Sequence, residues 1–191
     1  KDYTGYFQKV HQDDLERCIE LESDRMTNLK LDEKQIEKEI NVVKEERRLR
    51  TDDNPISKTF EKIMINAFGM NNYGIPIIGT MQDIENTTKE DLQRWYDSYY
   101  QPRNAIVIIA GNFDKIKAIK YIEKYYGSIE NNKPVSLKKS SIDFSSKDFF
   151  EVQEDVSKPV VFISFKKPKY SDEKLRELYA LDLFLEIMDG G

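Results

Sequence analysis

Glu39-Ile-Asn-Val-Val-Lys-Glu-Glu46-Arg-Arg-Leu-Arg50-Thr-Asp-Asp-Asn-Pro55 is the stretch from which the rest of the chain can be organised. Its first part belongs to a helix predicted from about Glu33 to Arg50. Asp32 is the N-cap, Gln35 closes a capping box, and Ile36, Ile40, Val43 and Leu49 form the apolar side. Thr51-Asp-Asp-Asn-Pro55 breaks it. Asn54 followed by Pro55 is a stop and restart signal, because proline suits the first position of a new helix. That next helix is predicted from Ile56 to about Phe68, with Phe60, Ile63, Met64 and Ala67 inward. Glu39 and Glu46 are two helical turns apart and share a face flanked by Val42 and Val43. Two carboxylates on a partly apolar stripe lose hydration unless a cation stands by. Arg47, Arg50 or an external metal could supply it. The alternative is a solvated Glu/Arg-rich helix with ordinary pairs three and four residues apart.

Upstream, Tyr3 to Val10 is rich in β-formers and predicts a strand. A helix follows from about Asp13, with Leu15, Cys18, Ile19, Glu22, Met26 and Leu29 along one face. Downstream, Gly69 to Thr80 reads as a loop that packs down. Thr88 with Asp91 opens a helix carrying Leu92, Trp95, Tyr96 and Tyr99, and Pro102 ends it. Asn104 to Gly111 is a continuous apolar run of strand length. Asp114 caps a further helix with Ile116, Ile119, Ile122 and Tyr126 inward and Gly127 after its end. A Ser/Lys-rich linker comes next. Phe149 to Val152 and Pro159 to Phe165 read as strands, and Ser171 caps a last helix through Leu175, Leu178, Leu181, Leu183, Phe184 and Ile187. The order of elements predicts an α+β fold, helices packed on a mostly antiparallel sheet.

Composition narrows the chemistry. The 191 residues carry 30 basic and 35 acidic side chains, a formal net charge of −5, so a basic nucleic-acid footprint is absent. No apolar run approaches the ~20 residues of a membrane span. The lone cysteine, Cys18, excludes a disulfide framework and a cysteine zinc cluster, and reads as a small buried hydrophobe. The lone histidine, His11, reads as a surface turn residue. No glycine-rich phosphate loop occurs. The aromatic residues Trp95, Tyr96, Tyr99 and Tyr100 read as a packing stripe.

Several pieces together resemble the pitrilysin/insulinase family of zinc metallopeptidases, which includes the mitochondrial processing peptidases. They are Leu21 to Met26, Glu39-x-x-Val-Val-x-x-Glu46-Arg-Arg-Leu-Arg-Thr-Asp-Asp-Asn-Pro55, Tyr73 to Gly79, Trp95 to Ala105, and Val107 to Asp114. In that family an H-x-x-E-H motif supplies two histidine ligands and a glutamate base, and a later glutamate completes the zinc shell. The resemblance implies that Glu46 is that metal ligand. It implies that Glu39 is the accessory catalytic carboxylate, assisting proton handling or holding the shell. The H-x-x-E-H motif is absent here. The expectation is therefore a fragment: 1–130 the later part of a first peptidase domain, 131–147 a linker, and 148–191 the opening of a second homologous domain. The intact parent would be a zinc metalloendopeptidase cleaving peptides or unfolded segments inside a chamber closed by a second homologous domain or subunit. The fragment alone would be inactive and would not retain zinc. The alternative is a non-catalytic partner or core subunit of the same fold that binds peptide without cleaving it.

Overall fold

In the computed structural model, residues 2–69, 71–131, 151–163 and 171–188 are described. A 3₁₀ turn, Gln12–Asp14, leads into α1 (Leu15–Thr27). Then come α2 (Glu33–Arg47), a π-helical turn (Arg48–Asp52), α3 (Pro55–Phe68), α4 (Met81–Asn86) and α5 (Lys89–Tyr99). A 3₁₀ turn at Pro102–Asn104 precedes α6 (Lys115–Tyr126), and another at Asp172–Lys174 opens α7 (Leu175–Met188).

Short-range polar chemistry starts these helices. The Asp32 carboxylate accepts from the Gln35 N–H at 3.0 Å. The Asn54 side chain accepts from the Ile56 and Ser57 N–H groups ahead of Pro55. Both Thr80 with Asp83 and Thr88 with Asp91 form reciprocal capping boxes. Asp114 accepts from Ile116 and Lys117. Each cap satisfies N–H groups that a helix start would otherwise leave bare.

The most extensive packing between elements is α1 against α6. Ile19 is 5% exposed and Ala118 3%, and a side chain as small as alanine lets two helices approach closely. The sequence pattern placed Ile116 and Ile119 inward on α6, but both are exposed. The face that α1 covers runs instead through Ala118 and the half-buried Tyr121, Ile122, Tyr125 and Tyr126. Tyr96 of α5 is buried. Its hydroxyl donates to the Arg25 carbonyl at 2.8 Å and accepts from the Leu29 N–H at 3.2 Å, which ties α5 to the end of α1. The N-terminal segment is held by side chains. Tyr73 donates to Asp2 at 2.6 Å, Gln8 donates to Glu22 at 2.8 Å, and the Arg25 guanidinium lies 3.4 Å from the centre of the Tyr6 ring. The Tyr6 and Tyr100 hydroxyls meet at 2.5 Å, and burial followed by that contact pushes Tyr100 up to about 12.

The expectation of an α+β fold with a mostly antiparallel sheet is corrected: among the described residues there is no strand. Tyr3 to Val10 and Ala105 to Ala110 are without regular structure. Their apolar side chains stand in the open, with Phe7 93% and Ile106 89% exposed. β-propensity describes how well a side chain suits a pleated, half-buried surface; it does not provide the neighbouring strand on which a ladder depends. The anticipated strand at 149–152 falls outside the described residues up to Phe150, and the one at 159–165 is described only to Ile163, without strand geometry. The linker expected at 131–147 lies outside them beyond Asn131.

The chain separates into two compact units, 1–154 and 155–191. Glu154 closes the first, receiving Lys58 at 3.1 Å and Lys62 at 3.0 Å from α3. In the second, Leu178 is the buried residue of α7, while Leu183, Phe184 and Ile187 are exposed.

The caps carry a pH signature. The Thr80 hydroxyl, then its backbone N–H, holds Asp83 below the ordinary carboxylate range. Thr88 does the same for Asp91 with help from Arg94, and the Lys117 N–H for Asp114. A depressed folded-state pKa gives stability that is present above the unfolded value and lost as pH falls through the folded one. The urea midpoint is therefore expected to decline as pH drops below 3.8, the ordinary aspartate value. Asp114→Asn keeps a capping oxygen without the charge. Titrating midpoints of both proteins checks this: the decline becomes shallower in the variant.

Candidate functional site

α2 has two sides with different fates. Ile36, Ile40, Val43 and Lys44 are partly covered and Arg47 is buried, whereas Glu39 and Val42 face solvent, as does Leu49 in the turn beyond. Glu39 and Glu46 lie on the outward flank, about 10 Å apart along the axis for a seven-residue step. The carboxylate of Glu46 is 40% exposed and makes one ion pair, to the exposed Arg50 at 2.8 Å. Its oxygens are therefore half open to solvent, with an exposed side chain as the ion-pair partner.

Its neighbour Arg47 does the opposite. Its side chain is 8% exposed and points back into the protein. Nη1 donates to Glu61 Oε2 at 3.2 Å and to the Gly79 carbonyl at 2.6 Å. Nη2 donates to Glu61 Oε1 at 3.1 Å and lies 3.1 Å from Asp52 Oδ1. Burial opposes its charge, but the fork–fork contact with Glu61 and the charge of Asp52 outweigh that and raise the guanidinium above its usual pKa. Gly79 has φ +82°, a conformation open to glycine, and that turn aims its carbonyl at Arg47. The sequence makes Arg47 one candidate to neutralise Glu39 and Glu46. The structure gives it to Glu61 and Asp52 and leaves Arg50 beside Glu46. Glu61, Asp52 and the Gly79 carbonyl are polar groups that periodicity alone did not single out.

The other flank of α2 borders a shallow groove against α4 and α5, lined by Ile36, Ile40 and Asn41 and spanned by Lys44–Glu85 at 3.2 Å and Lys89–Glu33 at 3.8 Å. These charges pair with one another, so the groove has a packing role. His11 caps the Gln12–Asp14 turn, its Nδ1 accepting from the Asp13 N–H at 3.4 Å. Cys18 is half buried, and its thiol donates to Gln8 Oε1 at 3.1 Å. Among the described residues, no three His, Cys, Asp or Glu side chains converge to hold a metal ion. Glu46 fits as one oxygen ligand of the kind zinc accepts; a full shell does not assemble from the described residues. No helix among them is long and apolar enough to cross a membrane.

Known proteins resemble this chain over both halves. Residues 1–81 match the family described as "Insulinase (Peptidase family M16)", and residues 86–191 match the "Peptidase M16 inactive domain". A zinc protease of Helicobacter pylori, PqqE, is 37% identical over 130 residues, covering 68% of this chain and 29% of that protein. An uncharacterized zinc protease of Bacillus subtilis, YmxG, is 26% identical over 183 residues, 95% of this chain and 44% of that protein. The crystal structure of a protease from Helicobacter pylori superposes with a TM-score of 0.64 at 32% identity, covering 69% of this chain and 32% of that one. The chain thus spans less than half the length of each of these relatives.

Proposed function

Because this chain belongs to the insulinase family, peptidase family M16, we propose that it is a segment of a zinc-dependent metalloendopeptidase, with Glu46 as the carboxylate it contributes to the metal. In this reading residues 1–130 are the later part of one peptidase domain, and 148–191 open a second, homologous one. That second domain, or a similar subunit, closes a chamber around peptide or unfolded substrate. The zinc, when bound, lowers the pKa of its water and polarises the scissile carbonyl. The residues here do the holding: Glu46 offers an oxygen, and Glu39, two turns earlier on the same flank, is the accessory carboxylate.

The observation that carries this reading is the contrast along the end of α2. Glu61 and Asp52 are tied to the buried Arg47, while the half-exposed Glu46 has, among the described residues, only the exposed Arg50 as its ion-pair partner. A second reading, a non-catalytic partner of the same fold that binds peptide without cleaving it, draws support from the match of residues 86–191 to a domain described as inactive.

The test is Glu46→Gln in the whole protein that carries this chain, with zinc affinity by chelator competition and hydrolysis of an unfolded peptide as readouts. Loss of a ligand is expected to weaken zinc by about a hundredfold, at least the effect of disturbing an outer-shell partner, and to remove hydrolysis with it. Unchanged zinc affinity and an unchanged rate would overturn the proposal. A whole protein that neither binds zinc nor cleaves peptide belongs to the second reading.

A further inference from the structure

Arg47 is an expensive way to hold three elements together. Its side chain is 8% exposed, yet its Nε is buried without a hydrogen-bond partner among the described residues. A buried ion pair returns little net stability over a well-packed apolar group of the same size. What the fork supplies is direction. Two parallel contacts to Glu61 fix the guanidinium plane relative to α3. A third contact fixes it to the Gly79 carbonyl ahead of α4, and a fourth to Asp52 inside the π-helical turn. Arg47 is the last residue of α2 and runs without a break into the π-helical turn Arg48–Asp52, and Glu46 is one residue earlier. Neighbouring residues on a helix diverge by about 100°. Once Arg47 is anchored inward, the roll of the last turn is set and Glu46 must emerge on the outward flank.

We infer that Arg47 is a positioning residue: through its clamp on Glu61, Asp52 and the Gly79 carbonyl it sets the direction in which Glu46 presents its carboxylate to the metal. This rests on Glu46 being the ligand proposed above. It adds that the ligand's aim is set by a guanidinium that never meets the ion.

The test uses the whole protein carrying Glu46→Gln, Arg47→Lys, Glu61→Gln and the double variant Glu46→Gln/Arg47→Lys. Zinc affinity is measured by chelator competition well below the melting temperature of each, with near-ultraviolet circular dichroism to show that each is folded. Lysine keeps the charge but loses the fork, and Glu61→Gln keeps Arg47 while weakening its strongest partner. Each of these two is expected to weaken zinc about 10- to 100-fold, as outer-shell changes do. The double variant is expected to bind no more weakly than Glu46→Gln, because both changes act through one ligand. Wild-type zinc affinity in folded Arg47→Lys and Glu61→Gln, with affinity lost in Glu46→Gln, overturns the positioning role and leaves the ligand standing. A further, additive loss in the double variant also overturns it, since the effect would then not pass through Glu46. Wild-type affinity in Glu46→Gln removes the ligand and the positioning role together.

Discussion

Arg47→Met in this chain is expected to lower the free energy of unfolding by about 3–5 kcal/mol, the usual cost of removing one partner from a buried ion pair. Methionine fills much the same volume, so the loss is electrostatic. Glu61 is left with two oxygens aimed at an apolar chain, and Asp52 and the Gly79 carbonyl lose a donor. Urea denaturation followed by far-ultraviolet circular dichroism measures it as a fall in midpoint at constant slope. Pairing Arg47→Met with Glu61→Leu is expected to recover part of the loss, because the more buried of the two carboxylates is then gone and only the more exposed Asp52 is left without its cation. A cost below about 1 kcal/mol, the range of surface pairs, would mean that the clamp is not made.

Ile19→Ala comes next, at about 3 kcal/mol, within the range of buried Ile→Ala changes. Ile19 lies within α1, against which α6 makes the most extensive packing among the described elements. Leu21→Ala, on the exposed side of α1, is the control and is expected to change stability by less than about 0.5 kcal/mol. Equal effects at the two positions would mean that α1 buries a different face.

What was legible in the sequence was local. Asn54 before Pro55, Thr88 with Asp91, and Asp114 each announce a helix through bonds made within three residues, and all three helices start there. Thr80 with Asp83 carries the same signature and opens α4, which the apolar, glycine-rich stretch before it obscured. The sheet was misread because Tyr3 to Val10 and Asn104 to Gly111 have strand composition, and composition does not supply a neighbour to pair with. On α6 the pattern found Ile122 and Tyr126, which are half-buried, but took the exposed Ile116 and Ile119 as inward and passed over the buried Ala118, because isoleucines mark hydrophobicity and not the place where a neighbouring helix packs. At the site, the spacing of Glu39 and Glu46 placed both on one flank of α2. It could not say which carboxylate Arg47 would take, because Glu61 lies 14 residues further on and the Gly79 carbonyl 32 residues further on.

The turn at Arg48–Asp52 has a consequence of its own. A π-helical turn behaves as a helix holding one residue more than its winding would need. Deleting one position there would take out that extra residue and shift Asn54, Pro55 and α3 relative to the end of α2. Glu61 would leave the arc that Arg47 can reach. The number of residues between the two helices is therefore as much a specification as their identity, like the tooth count of a gear. Substitutions along 48–52 can be absorbed one side chain at a time, whereas a single-codon deletion would dislocate everything geared to it.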